Sequence, residues 1–269
     1  MEITIGADPE FFLLYNDEPI SVEGKLGGTK RKPKPIDEFG NMYQEDNVAV
    51  EFNICPSKTK EEFRQNIKKV LTFLKSKFNT SFSFSDRSAL FFPETELKTV
   101  QAMTFGCEPD YNAWTNEINP PPNIASLAKT KLLQKQYETL RSAGGHVHIG
   151  CELALEKPLE IIQACDLFLG VPSILIDTDN TRRKLYGKAG SFRYKNYGVE
   201  YRSLSNFWIW NDYYIDWVFQ NTMKAINFVK NHKTIDSHDT YLIQHCINQG
   251  DNSLSQYLIQ KYDYKPVFE

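Results

Sequence analysis

The sequence predicts an α+β fold built on an antiparallel sheet, on three observations. Strand-like segments of alternating polarity precede the helical ones and then alternate with them irregularly. No regular βα period runs through the chain. From about residue 213 onward the chain reads as helical and rich in aromatic residues. Nothing along the 269 residues reads as a boundary, so residues 1–269 are expected to form a single domain with a sizeable core.

The elements follow in order. "EITI" (2–5) and "EFFLLY" (10–15) read as strands about a kink at Pro9. Residues 16–41 read as loop and carry Gly24, Gly27, Gly28 and the basic run "KRKPKP" at 30–35. "NVAVEFNI" (47–54) is β-rich, and its alternation puts Glu51 and Asn53 on one face. Residues 57–78 form an amphipathic helix with Phe63, Ile67, Val70, Leu71, Leu74 and Phe78 as its apolar stripe, capped by Ser57 or Thr59. Residues 81–92 read as one or two strands, "NPPPN" (119–123) as a stiff linker, and 126–137 as a helix. "GGHVHIGCEL" (144–153) is a strand opened by two glycines, 159–175 a largely buried helix, and "GVEYRSLSNF" (198–207) another strand. A polar loop between the last two carries Arg182, Arg183, Lys188 and Arg193.

Composition narrows the function classes. The chain is 41% hydrophobic and 13% aromatic, which marks it as globular. A net charge of −3 gives no general attraction to nucleic acid or to an anionic membrane, so neither is an expected partner. The five cysteines form no CxxC pair and are odd in number, as expected of reduced thiols in a cytoplasmic protein. Asp8 and Glu10 interrupt any signal-like run, and no stretch approaches the ~18 apolar residues of a membrane span.

Several short stretches carry chemistry. In "GADPEFFLL" (6–14), Asp8 and Glu10 are two apart on a strand and share a face, where a cation is needed to relieve their repulsion. "GCEPDYN" (106–112) echoes that pattern. In "GGHVHIG", His146 and His148 share a face, with glycines on both sides that permit close approach. In "GVEYRSLSNFW", Glu200 and Arg202 share another. The cations of "RRKLYGKAGSFR" (182–193), and Lys30 beside the Gly27–Gly28 pair, suit phosphate contact and equally suit solvated basic loops. Asp8, Glu10, Glu51 and Glu200 are hard oxygen donors suited to magnesium or manganese, and one histidine can join them. Carboxylates, a divalent ion and phosphate-binding cations together are the parts of phosphoryl-transfer chemistry, and no Walker-type or kinase loop is present to host it.

These stretches resemble a known superfamily, in the same order along the chain. "GADPEFFLL" resembles the G-x-E-x-E-F-F-L-F strand of glutamine synthetases, and "AVEFN" their glutamate–apolar–asparagine strand. "GGHVHIG" resembles their G-x-H-x-H strand, "GSFR" their S-x-R phosphate loop and "VEYR" their E-x-R strand. Over most of its length the chain is similar to the phage-encoded carboxylate–amine ligases of this superfamily, the COOH-NH2 ligase type 2 group, which share "YGKAGSFR…YGVEYRSLSNFW". The resemblance implies a glutamine synthetase-like curved antiparallel sheet with helices on its outer face. It implies an ATP-dependent ligase that forms an amide through an acyl phosphate, with two or three Mg2+ or Mn2+ ions, in the host cytoplasm.

Carried residue by residue, the resemblance gives Asp8, His146 and Glu200 to an ion that contacts the ATP phosphates. It gives Glu10 and Glu51 to an ion nearer the substrate, places His148 near the nucleotide, and has Arg193 and Arg202 stabilise the transferring phosphoryl group and the acyl phosphate. Lys188 stands where the family often has arginine, and with Lys30 and Arg193 is expected at the nucleotide. Asp8 replaces a glutamate. A second substrate-side acid has Glu45, Asp46 and Glu108 as candidates, and Cys107, Glu108 and Asp110 of the echo are candidates for the substrate pocket. The family's ammonia-site loops and N-terminal β-grasp domain are not visible, which argues against glutamate and ammonia as substrates. Small-molecule, peptide or protein carboxylates and amines all fit, and an oligomer is left open. Two other readings compete: a guanidino-type phosphotransferase on the same fold, and a non-catalytic nucleotide- or metal-binding protein.

Overall fold

In the computed structural model, residues 2–104, 110–121 and 130–263 are described. The strand-forming segments assemble into an antiparallel sheet of nine strands among these residues. In chain order they are β1 (Thr4–Phe11), β2 (Lys34–Pro35), β3 (Met42–Asp46), β4 (Ala49–Asn53), β5 (Tyr111–Asn112), β6 (Glu117–Ile118), β7 (Gly145–Gly150), β8 (Ser191–Lys195) and β9 (Gly198–Tyr201). Across the sheet they run β6-β5-β8-β9-β7-β1-β4-β3-β2, so the N-terminal strand lies at the centre.

Alternation along each strand divides the sheet into an apolar face and a polar one. Ile5, Ala7 and Phe11 of β1, Val50 and Phe52 of β4, Val147 and Ile149 of β7, and Val199 and Tyr201 of β9 join one buried core. Helices cover that face. α1 (Lys60–Ser76) contributes Phe63, Ile67, Val70 and Leu74, and α3 (Asp212–Lys230) contributes Val218, Phe219 and Ile226. Between them in sequence, α2 (Pro158–Cys165) runs on through a π turn (Asp166–Gly170) into Val171–Ser173. The N-terminus of α1 is fixed by a capping box in which Thr59 accepts from the Glu62 amide and Glu62 reaches back to the Thr59 backbone, so Thr59 rather than Ser57 is the cap.

The π turn places Asp166 under the sheet with no exposure. Its carboxylate accepts from Trp114 Nε1 at 2.6 Å and Tyr201 Oη at 2.8 Å, tying β9 to the segment that follows the echo motif. Burial pushes this carboxyl up to about 7 against those hydrogen bonds.

Four local expectations are corrected. β1 runs unbroken through Pro9, which pairs with Gly145, so there is no kink between two strands. Pro9 falls between the Ile54 amide bonded to the Ala7 carbonyl and the start of the β4 ladder at Glu10–Glu51, where its missing N–H is tolerated. Within 16–41, read as loop, Glu18–Ile20 and Lys34–Pro35 form short strands, and directly after it comes β3, which Asn47 at φ 54° turns into β4. Arg193 lies on β8, and Arg182 and Arg183 lie on a short helix (Thr181–Leu185), so the basic stretch is not one loop. Within 159–175, the helix is interrupted by the π turn.

Candidate functional site

The polar face collects the chemistry. Even-numbered residues of β1 point to it, and the antiparallel register sets their neighbours. Asp8 lies opposite His146, and Gly6 lies opposite His148. His148 lies opposite Glu200 on β9, and Glu200 opposite Arg193 on β8. On the other side of β1, Glu10 lies opposite Glu51 and Glu51 opposite Gln44. Three adjacent register rows on this one face, across five neighbouring strands, therefore carry Arg193, Glu200 and His148, then His146 and Asp8, then Glu10 and Glu51. Gly6 faces the His148 side chain, and a Cβ there would stand in ordinary contact, 3.5 Å from the Cβ of His148.

At one end sits a cluster of possible metal donors. One donor atom from each of Asp8, His148 and Glu200 lies within 4.8 Å of the other two. Asp8 Oδ1 is 3.1 Å from Nε2 of His148 and 3.3 Å from Nδ1 of His146. His146 Nδ1 is also 3.7 Å from Glu200 Oε1. Both imidazoles thus face the same two carboxylates, and it is His148, given above to the nucleotide, that completes the tight triad. Asp8 Oδ1 is buried against the two imidazoles without a well-aligned hydrogen bond, and Glu51 Oε2 is buried with no hydrogen-bond partner among the described residues. Buried acceptors left this way are costly, and an oxygen- and nitrogen-rich donor set of this kind suits a hard divalent ion, so the residues present fit Mg2+ or Mn2+.

Charge on the face is unevenly shared. Burial pushes the Asp8 carboxyl up, but His148 and His146 outweigh it and hold it well below the usual range. Burial and Asp8 also raise Glu200, yet Arg202 and the histidines bring it down to about 2. His148 moves the other way, raised by Asp8 against its burial. His146 is lowered to about 4 by burial and by the Arg202 guanidinium. At the other end, burial and Asp46 push Glu10 up to about 7, and Glu51 is raised well above the usual range by burial, Asp46, Asp8 and Glu10. Anionic at the Asp8–Glu200 end, the face holds acid-form carboxyls at the Glu10–Glu51 end until a cation arrives.

The cations line one side. Arg202 pairs with Glu200 Oε1 and reaches Asp110 Oδ2 at 3.5 Å and His146 Nδ1 at 3.4 Å. Arg193 Nη1 is 4.0 Å from Glu200 Oε1. Lys30 pairs with Asp46 at 2.8 Å, which brings it to the Glu10–Glu51 end. Lys188 is exposed and pairs with none of these carboxylates; it is its backbone carbonyl that Ser203 Oγ holds, at 2.8 Å. Arg182 is buried beneath the site, donating to the carbonyls of Arg202 and Ser203, and Arg183 pairs with Asp177 at 3.1 Å. Neither is a cation of an open phosphate loop.

The candidates for a second substrate-side acid separate cleanly. Asp46 shares the Glu51 face, because Gln44 is Glu51's partner and Asp46 is two further along β3. Glu45 points to the opposite face, since the turn at Asn47 breaks the even spacing counted along the sequence. Its carboxylate accepts the amides of Gly24 at 3.0 Å, Leu26 at 2.9 Å and Gly27 at 2.5 Å. The Gly24 and Gly27 amides of the glycine loop are therefore bonded to the protein's own acid, which leaves that concavity filled. Cys107 and Glu108 lie outside the described residues. Asp110 is held by Asn119 Nδ2 at 3.0 Å and faces Arg202.

Two residues escaped the sequence reading. Lys195 Nζ lies 2.5 Å from Glu200 Oε2, and Tyr197 Oη lies 2.9 Å from His148 Nδ1. Lys195 was visible in principle, because Ser191, Arg193 and Lys195 alternate on one strand face. Tyr197 lies in the two-residue turn of the β8–β9 hairpin and had no periodic signal.

No curated protein matches the chain. Residues 118–260 match the protein family described as "Phage phiEco32-like COOH.NH2 ligase-type 2". That span is just over half the sequence and carries both histidines, Arg193, Lys195, Glu200 and Arg202. With β7, β8 and β9 of the polar face inside the matched region, the chain belongs to the phage phiEco32-like COOH–NH2 ligase type 2 family.

Proposed function

We propose that this protein is an ATP-dependent carboxylate–amine ligase working as one glutamine synthetase-like catalytic unit over residues 1–269. The observation that carries the reading is the single polar sheet face on which Asp8, Glu10, Glu51 and Glu200 meet two imidazoles and the guanidinium groups of Arg193 and Arg202. A carboxylate oxygen of one substrate attacks the γ-phosphorus of ATP, ADP leaves, and an acyl phosphate forms. The amine nitrogen of the second substrate then attacks the acyl carbon, phosphate leaves, the nitrogen gives up a proton, and an amide remains.

Mg2+ or Mn2+ bound here supplies positive charge to the phosphoryl oxygens. Asp8, His148 and Glu200 would hold one ion, with His146 behind Asp8, and Glu10, Glu51 and Asp46 would hold a second. Arg193 and Arg202 stand beside Glu200 and stabilise the negative charge that grows on the phosphoryl group and the acyl phosphate. Asp8 and Glu200 keep the two imidazoles in place, and Arg202 is aimed by Asp110.

The test uses a panel of small-molecule and peptide carboxylates labelled with 18O, each offered with a panel of amines, ATP and Mg2+. Mass spectrometry is expected to find an amide together with phosphate carrying one 18O. Unlabelled phosphate with the amide overturns the acyl phosphate. A phosphorylated amine or guanidine without any amide overturns the ligase reading in favour of a phosphotransferase.

A further inference from the structure

Both oxygens of Glu200 already have a cation. Oε1 pairs with Arg202, and Oε2 has the Lys195 ammonium at 2.5 Å. Yet Glu200 also belongs to the donor triad with Asp8 and His148. A divalent ion at this carboxylate repels the cations already on it. That repulsion falls hardest on whichever of the two is held more loosely.

The geometry says which. The Arg202 side chain is 9% exposed and is held at three points, by Glu200, Asp110 and His146. The Lys195 side chain is 28% exposed, on the last residue of β8, just before the turn into β9. Its four-carbon stem is flexible, and its head can move without disturbing the core. β8 also fixes where the ammonium goes. Lys195 and Arg193 are two apart on one strand, so both side chains rise from the same face. A freed ammonium therefore stays on the face that carries the Arg193 guanidinium, and both reach toward Glu200.

We propose that Lys195 is a surrogate cation: it neutralises Glu200 while the ion is absent, and passes to the phosphate oxygens of a nucleoside triphosphate when the ion displaces it. This rests on the ion site proposed above. It makes Lys195 a competitor of the ion and a partner of the polyphosphate. Removing it therefore has opposite effects on the two ligands, a signature that a merely structural lysine does not give.

The experiment titrates the full chain with Mn2+, followed by electron paramagnetic resonance, and then with a non-hydrolysable ATP analogue at saturating Mn2+, followed by calorimetry. Wild type, Lys195→Met, Lys195→Gln, Lys195→Arg and Glu200→Gln are compared, with thermal melts to show that each folds. Without nucleotide, Lys195→Met and Lys195→Gln are expected to bind Mn2+ about fivefold more tightly, the upper end for an ion pair that is partly screened by solvent. With Mn2+ present they are expected to bind the analogue about tenfold more weakly, the loss of one charge-assisted contact. Lys195→Arg should stay near wild type in both. Unchanged or weaker Mn2+ binding in the Met and Gln variants, or unchanged analogue binding, overturns the role of Lys195. If Glu200→Gln loses Mn2+ while Lys195→Met is unchanged, only the Lys195 proposal fails. If wild type and Glu200→Gln bind Mn2+ alike, the ion site fails and Lys195 with it.

Discussion

Glu10 on β1 and Glu51 on β4 are direct register partners, and both carboxyls are buried. Like charges placed opposite each other in a sheet repel. Burial first, then the Asp46 carboxylate, makes both groups keep their protons to higher pH than a free carboxyl, Glu10 to about 7, and Glu10 adds to the rise of Glu51. The folded state then binds protons that the unfolded chain has already lost. Between the unfolded value of 4.5 and the raised folded value, stability falls as pH rises. His146, lowered to about 4, pulls the opposite way between there and its ordinary 6.5, so the clean window opens above pH 6.5. There His148 and Asp166, both raised, act in the same direction as the two glutamates.

Melting measured without metal should therefore drop between pH 6.5 and 8, and Glu51→Gln should flatten that slope. Mn2+ should raise the melting temperature more at pH 8 than at pH 6, because it relieves a repulsion that protons relieve at the lower pH. A wild-type melting temperature that climbs steadily across this window contradicts the buried-pair account.

The two histidines make a separate test. His148 Nε2 faces Asp8 Oδ1 at 3.1 Å and completes the donor triad, while its Nδ1 meets Tyr197 Oη at 2.9 Å. A ligand held at one nitrogen is commonly oriented through the other. His148→Ala should lower Mn2+ affinity by about tenfold or more, and Tyr197→Phe by a smaller factor in the same direction. His146→Ala should act mainly through Asp8 and Arg202, with the lesser loss of metal. The reverse order, His146→Ala far worse than His148→Ala, would return the ligand role to His146.

Much of this site was legible because strand alternation is a strong local signal. Asp8 with Glu10, His146 with His148, and Glu200 with Arg202 needed only a period of two to be placed on one face. The signal failed where the chain turns. Counting six from Glu45 to Glu51 ignored the reversal at Asn47, and the residue on the site face is Asp46. Arg182 and Arg183 read as open-loop cations because a sequence does not show that their guanidinium groups are buried on backbone carbonyls and Asp177. The helical half was plain from the stripe Phe63, Ile67, Val70, Leu74, whereas a π turn at Asp166 leaves no mark in apolar spacing.

Gly145 tests the packing that aligns β7. A Cβ there would stand 2.9 Å from the carbonyl carbon of Ser205 and would also press on its oxygen and on Trp208 Nε1. Ser205 is backbone, and Trp208 is fully buried with its indole N–H on the Gly145 carbonyl, so neither yields easily. Gly145→Ala should destabilise by about 1–3 kcal/mol, the range for overpacking a filled interior. Gly6→Ala, whose Cβ would meet nothing closer than 3.5 Å, should be much milder. Equal melting temperatures for the two variants would show that β7 does not depend on this close approach.

Arg202 decides whether the site is built for catalysis. Its guanidinium meets Glu200, Asp110 and His146 at once, from a strand end packed on the core. Three partners in different directions suit a planar fork of donors, and a lysine ammonium cannot reproduce them. In the proposed reaction, the negative charge beside it is greatest while the phosphoryl group transfers, so the group lowers the barrier more than it strengthens nucleotide binding. Arg202→Lys should fold and bind an ATP analogue within about tenfold of wild type, an allowance of ~1.4 kcal/mol. Its turnover should fall by on the order of a hundredfold or more, the loss given by removing one well-placed charge stabiliser. The two measurements are paired on the same preparation: calorimetry for the analogue, and phosphate release on a substrate pair that the wild type accepts. Turnover near wild type removes Arg202 from the chemistry. Nucleotide affinity and turnover falling by equal factors would make it a binding group with no preference for the transition state.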